Sequence, residues 1–262
     1  MLFLSPALTA WFLGIATVLG LTLGSFLNCA AWRLAHGEKI SKGRSHCAVC
    51  GHTLSALDLV PVFSWLALKG RCRYCGERIS PRYPLTELLC AGLYVSLLLR
   101  FDVSFRALEY GVLLSLLLCA SLVDLEDGWI PDRLLIAGAV LYFPLELLAG
   151  GLRWQSLVSG LFGAAVLLLP MLGLVLLADK LMGMETMGGG DLKLIALLGL
   201  YFGWQNGLFL LILSCFLGLG ISFAMGRLKA KTAFPFGPAL SLAAWLTALF
   251  GSTVVNWYLG LF

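Results

Sequence analysis

The chain has 262 residues, of which 60% are hydrophobic and only 12% charged, with a mean hydropathy of +0.94 and a formal net charge of +4. Charged residues make up about a quarter of an ordinary soluble domain, so a water-soluble globular fold is excluded. Several apolar stretches reach the roughly 18 residues needed to cross a bilayer core, which points to a protein that spans the membrane rather than lying on it.

In chain order, the expected spans are 7–31, 85–99, 109–123, 133–149, 155–178, 191–203, 205–226 and 237–258. Their apolar runs are continuous rather than alternating, so helices and not barrel strands are expected. Eight is the preferred count; the stretch 191–203 is short, and seven stays open. The first span, Ala7 to Ala31, is not a secretory signal. Such a signal begins with positive charge, whereas the first basic residue here is Arg33. It reads as a retained helix that enters with its N-terminus outside.

Residues 32–84 form the one long polar segment. They carry nine of the eighteen Lys and Arg residues: Arg33, Lys39, Lys42, Arg44, Lys69, Arg71, Arg73, Arg78 and Arg82. With eight spans, alternate loops add Arg133, Lys180, Lys193, Arg227, Lys229 and Lys231, leaving only Arg100, Arg106 and Arg153 on the other side. Short basic loops stay in the cytosol. The long loop is therefore expected to be cytosolic and both termini to face outward. The loop itself has nine basic residues against Glu38, Asp58 and Glu77, an excess suited to anionic lipid headgroups.

Cys47-Ala-Val-Cys50 and Cys72-Arg-Tyr-Cys75 make two CxxC knuckles separated by 21 residues in this loop. Four thiolates so paired can close a tetrahedral shell around a structural zinc ion with no open catalytic position. A reducing cytosol disfavours disulfides. His46 and His52 flank the first knuckle as lesser ligand candidates. Cys29, Cys90, Cys119 and Cys215 lie alone in apolar runs and read as small packing residues.

Two aspartates mark a candidate reaction centre. Asp124 ends the apolar run Gly111 to Val123, and Asp191 follows Met187-Gly188-Gly189-Gly190 and opens the next run with Leu192-Lys193-Leu194. The charge count puts both at the cytosolic ends of their spans. Ionisable residues in spans are costly and are functional candidates. Two facing carboxylates suit peptide hydrolysis, one taking a proton from water while its protonated partner donates to the carbonyl. Gly188 and Gly190 permit a tight turn and close approach, and Lys193 either assists electrostatically or snorkels. Asp191 and Asp132 also suit a plain helix N-cap. Asp124, at a helix C-terminal end, does not. Glu126 and Asp127 read as solvated turn residues and Glu185 as a polar loop residue. The only histidines are His36, His46 and His52, and there is no HExxH. Serine–histidine and zinc-dependent hydrolysis of those types are thereby disfavoured, leaving acid–base work to carboxylates.

These residues resemble the type 4 prepilin peptidases, which are similar to the wider GxGD membrane aspartyl proteases. Gly188-Gly189-Gly190-Asp191 matches GxGD, and Asp124 with the trailing Pro131-Asp132 matches the first family aspartate. Gly24-Ser25-Phe26-Leu27-Asn28, Asp58-Leu59-Val60-Pro61, Ser64-Trp65, Arg71 to Gly76, Ile79 to Pro84 with Glu87, and Phe236-Gly237-Pro238 carry the likeness over nearly the whole chain. Ala48 stands where the family often has proline, and Glu126-Asp127 also departs from the usual pattern. The resemblance implies a bifunctional inner-membrane enzyme of bacteria. It would cleave the basic leader of prepilins or pseudopilins after a glycine at the cytosolic face, with Asp124 and Asp191 catalytic. It would then methylate the new N-terminal residue with S-adenosylmethionine. Residues 1–100 would form the methyltransferase part, with Asn28, Arg82 and Glu87 as methyl-transfer candidates, and 101–262 the peptidase. The implied partners are pilin-type substrates and membrane lipid, with no nucleic acid. An ion-coupled transporter using the same aspartates, and a non-enzymatic assembly factor docking through the cysteine loop, are the rival readings. No internal repeat supports the former.

Overall fold

A computed structural model describes residues 5–40, 43–150, 154–184, 186–224 and 235–261. Lys42, Arg153, Glu185, Arg227, Lys229 and Lys231, invoked above, lie outside them. Among the described residues the chain is helical, its only bridged pairs being His46 with Thr53 and Arg71 with Arg78. It forms two compact units, one up to Val103 and one from Ser104 onward.

In the first unit, α1 (Pro6–Ala35) and α3 (Arg82–Phe101) form an antiparallel pair, and the segment between them carries a 3-10 turn (Ala56–Leu59) and the short α2 (Phe63–Ala67). Lipid tails are as apolar as leucine, so such helices associate through close packing and hydrogen bonds, not through escape from water. Gly20 and Gly24, one turn apart, provide that closeness. A Cβ on Gly20 would stand 2.5 Å from Ala91 Cα, and one on Gly24 2.7 Å from Glu87 Cα. One turn further, the buried Asn28 amide donates to Gly24 O (3.2 Å) and to the Thr86 hydroxyl, adding polar glue to the same seam.

The second unit holds α4 (Phe105–Asp127), α5 (Asp132–Gly150), α6 (Trp154–Met182), α7 (Gly189–Ala224), and α8 (Gly237–Leu246), which runs through a wide π turn (Thr247–Gly251) into α9 (Ser252–Leu259). Gly128, left-handed at φ 71°, ends α4 by donating to Asp124 O, the usual glycine stop. A straight helix of 36 residues would measure about 54 Å, well beyond a bilayer core of about 30 Å. Instead α7 breaks at Gly203, whose φ of 67° and ψ of −178° suit glycine alone. The chain reverses there. Gly190 at its start packs on Ile130 and Gly218 near its end packs on Phe236, both at the end of the bundle where Asp124 lies. Phe202, just before the break, stacks on Tyr110 at the far end of α4.

The expected stretches 191–203 and 205–226 are therefore the two arms of α7. Among the described residues, six helices are long and apolar enough to cross a membrane: α1, α3, α4, α6, α7 taken whole, and α8 with α9. The fourth expected stretch, 133–149, is the helix α5, whose 19 residues include Asp132, Arg133 and Glu146.

Small residues again set the closest approach. A Cβ on Gly163 of α6 would stand 2.7 Å from Gly203 Cα, and one on Gly199 2.7 Å from Ala164 Cα. Toward the same end, Arg106 bridges Glu109 (2.8 Å) and Glu146 (2.7 Å), pinning α4 to α5. Overpacking a tight seam costs about 1–3 kcal/mol. Gly163→Val is thus expected to lower the melting temperature in detergent by several degrees, whereas Gly173→Ala, with open space around it, leaves it within about a degree. Thermal unfolding of the two variants checks this.

Candidate functional site

Asp124 sits in the last turn of α4 and is 5% exposed; Asp191 sits in the first turn of α7. The reversal of α7 and the short turn after α4 bring them to one end of one bundle, where Gly190, next to Asp191, packs on Ile130, six residues beyond Asp124. Two contacts shape this centre. Gly237, the first residue of α8, donates its N–H to Asp124 Oδ2 at 2.9 Å. A Cβ there would stand 2.7 Å from that oxygen, so any side chain would displace the carboxylate. Asp191 Oδ1 is buried and has no hydrogen-bond partner among the described residues, leaving it available to a substrate or water.

The glycines before Asp191 have separable roles. Gly188 O accepts from the Asp191 N–H (3.1 Å), and Gly190 lets the helix start pack on the Ile130 side chain. Lys193 points to Asp132, contacting both its oxygens at 2.8 and 2.9 Å. This exposed pair joins the starts of α5 and α7 beside Asp191. Asp132 opens α5 as its position after Pro131 leads one to expect.

In the first unit the four cysteine sulfurs of Cys47, Cys50, Cys72 and Cys75 all lie within 4.8 Å of one another, with Cys47 and Cys75 at 3.9 Å. Zinc–sulfur bonds of about 2.3 Å give a tetrahedral edge of about 3.8 Å, so the donor set fits one zinc ion. Each knuckle folds alike. Cys47 N–H bonds His52 O and Gly51 N–H bonds Cys47 O; Cys72 N–H bonds Glu77 O and Gly76 N–H bonds Cys72 O. Gly51 and Gly76 both take positive φ, 69° and 75°. The backbone N–H of Cys50 at the Cys47 sulfur favours the thiolate and lowers that thiol to about 7. His46 and His52 stand outside the sulfur cluster, packed on Trp32 and Tyr74.

The methyl-transfer candidates differ in what their side chains meet. Asn28 spends its amide on the α1–α3 seam. Arg82 lies at the start of α3, its N–H on Ser80 Oγ. Glu87 lines a cavity beneath the knuckles and accepts from Val62 N–H at 2.7 Å. Of the lone cysteines, Cys90 and Cys119 are buried, Cys29 is half-buried and Cys215 is exposed on the surface of α7.

Three features of the structure carried little signal in the sequence. Gly237 was visible only as part of Phe236-Gly237-Pro238. Glu109 and Glu146 were not singled out, although they lie inside the apolar stretches 109–123 and 133–149. Asp58 gathers the loop: its carboxylate, 3% exposed, accepts from Ser55, Arg73 and Tyr74. The Ser55 hydroxyl, then Arg73, hold it well below the usual carboxylate range. A carboxylate with a depressed folded value binds fewer protons folded than unfolded, so its contribution is complete above about pH 4 and fades as acid is added. Asp58→Asn should lower the melting temperature of the loop unit at pH 7, and the gap from wild type should shrink below about pH 4; thermal melts across that range measure it.

Comparison with known proteins follows the same division. The bacterial peptidase A24 N-terminal domain matches residues 18–101, and the type IV leader peptidase family matches residues 111–223. A Pseudomonas putida protein named prepilin leader peptidase/N-methyltransferase is 37% identical over 270 residues, covering 94% of this chain and 93% of its own. A Bacillus subtilis protein of the same name is 33% identical over 256 residues, covering 94% and 98%. A type 4 prepilin-like proteins leader peptide-processing enzyme of Escherichia coli is 37% identical, covering 90% and 94%. No solved structure matches. Identity of this order along almost the full length of each relative means that the chain belongs to the prepilin leader peptidase/N-methyltransferase family.

Proposed function

We propose that the chain is a bifunctional processing enzyme of a bacterial inner membrane. It cleaves the leader of type 4 prepilins or pseudopilins after a glycine, using Asp124 and Asp191, and then N-methylates the new N-terminal residue with S-adenosylmethionine. The observation that carries the peptidase is the meeting of these two aspartates, from helices far apart in sequence, at one end of an apolar bundle.

The contacts suggest how the pair divides its work. Asp124 Oδ2 accepts the Gly237 N–H, so that oxygen is unprotonated. Two facing carboxylates share one proton, and we assign it to Asp191, whose Oδ1 has no partner among the described residues. Asp124 then takes a proton from the attacking water while Asp191 donates to the scissile carbonyl oxygen. The tetrahedral intermediate collapses as the proton on Asp124 passes to the leaving amine. Gly188, Gly190 and the Lys193–Asp132 pair keep the first turn of α7 against its neighbours and so position Asp191.

The residues around 1–100 form the methyltransferase part and 101–262 the peptidase. The four cysteines hold a structural zinc ion that braces the loop, and no coordination position is left for catalysis. S-adenosylmethionine, when bound, supplies an electrophilic methyl group; Glu87 is the candidate nearest a cavity able to receive it. The basic excess of residues 32–84 supports placing the loop, and the aspartates, on the cytosolic side. A prepilin joins a basic leader to an apolar helix, so its cleavage site lies at that interface.

Asp124→Asn and Asp191→Asn should each reduce prepilin cleavage by on the order of 10³-fold or more while methylation of precleaved pilin persists. Gly237→Ala should lose cleavage in the same way. Gel-shift cleavage and methyl incorporation, followed in parallel, test this; normal cleavage by either Asn variant would sink the dyad. Metal analysis should find about one zinc per chain, and the Cys47→Ser/Cys72→Ser double variant should lose it with a fall in melting temperature. Full zinc content in that variant would refute the four-cysteine site.

A further inference from the structure

The first unit encloses a cavity of about 270 Å³ between the knuckles, the α2 segment and the facing sides of α1 and α3. Its walls are mixed in a specific way. The indoles of Trp32 and Trp65 give flat surface and Glu87 supplies a carboxylate; Arg33, Arg73 and Arg78 also line the cavity, Arg33 bonded to Ile40 O and Gly43 O and Arg73 paired with Asp58. Glu87 is only 6% exposed, and no Lys or Arg forms an ion pair with it among the described residues. Its hydrogen-bond partner is a neutral donor, the Val62 N–H at 2.7 Å. A buried carboxylate without a cationic partner is costly unless a cation arrives.

The loop above this carboxylate is held under strain. Val62 is β-branched yet has φ 61° and ψ −51°, a conformation that costs on the order of 1–3 kcal/mol and persists only where surroundings enforce it. The turn is closed by the Phe63 N–H on Pro61 O at 2.6 Å, and Glu87 accepts the Val62 N–H at its centre. Val62 precedes α2, which carries Trp65, and Trp65 Nε1 donates to Ile79 O at 3.1 Å. One carboxylate thus lines the cavity and also holds the backbone at the start of the helix that carries the Trp65 indole.

We propose that this cavity is the methyl-donor site, taking an adenosyl sulfonium with its flat base along the Trp32 and Trp65 wall and its cationic end toward Glu87. The inference rests on the methyltransferase reading above and adds the location and the recognising groups. The size and the mixed lining match a small organic cation with a planar ring system, not an extended apolar segment. The knuckles form part of the wall through Cys47 and Cys72, which gives the metal cluster a role in shaping this site without taking part in the chemistry.

Charge on sulfur provides the test. S-adenosylmethionine is a sulfonium and S-adenosylhomocysteine a neutral thioether of nearly the same shape. Glu87→Gln removes the charge but keeps an oxygen able to accept the Val62 N–H. Binding of both compounds to the full-length protein in detergent is measured by calorimetry, with zinc content and melting temperature as folding checks. Glu87→Gln is expected to weaken S-adenosylmethionine about tenfold, or about 1.4 kcal/mol, and S-adenosylhomocysteine threefold or less. Trp32→Leu should weaken both. Unchanged binding in both folded variants would overturn the cavity while leaving the methyltransferase reading intact. A wild-type protein that neither binds the donor nor methylates precleaved pilin would overturn the reading and the site together.

Discussion

The reversal of α7 at Gly203 is the constraint on which the second unit depends. A side chain there would meet a backbone conformation open only to glycine, and a straight helix would carry Ala224 far beyond the bundle. Because the chain turns, Asp191 and Gly218 return to the same end. Phe236 and Gly237 are thereby placed beside the last turn of α4. The seam beneath the turn is nearly side-chain-free: Gly163, Ala164, Gly199 and Gly203 bring backbone against backbone. In a lipid solvent such contact is the main source of helix association.

Polar groups inside this apolar unit are few, and their partners come from distant parts of the chain. Asp124 is matched by a backbone N–H 113 residues away. Arg106 binds Glu146, 40 residues away, as well as its own helix neighbour Glu109. Ser121 and Ser241 share a hydrogen bond at 2.7 Å. Each contact fixes a helix rotation as well as a helix pair, because the alternative is an unsatisfied polar group in a medium without water. The two aspartates obey the same physics: carboxylates expensive to bury are tolerated where a specific donor, the Gly237 N–H, meets one and a substrate would meet the other.

The first unit solves a different problem. Its segment between α1 and α3 is too polar and too short of apolar residues to make a core, so sulfur pairs and a clamped carboxylate do the organising. Asp58 ties the turn at Ser55 to the second knuckle through Arg73 and Tyr74, and Glu87 ties α3 to the start of α2. The cavity is what these two acidic anchors leave between the loop and the helix pair.

Composition and continuous apolar runs were enough to determine a helical membrane protein, since charge density and run length are properties of the chain alone. The knuckles were equally legible, because two CxxC pairs constrain their own local geometry. Asp124 and Asp191 stood out as acids at the ends of apolar runs. What the sequence could not decide was anything that depends on which helix faces which. That includes the break within α7, where 191–203 and 205–226 meet at one glycine. It also includes the Gly237 N–H on Asp124, the pairing of Arg106 with Glu146, and the contact of Glu87 with the Val62 N–H. Those contacts join residues tens of positions apart through backbone atoms or small side chains, which leave no periodic signature; only the packing of the helices brings them together.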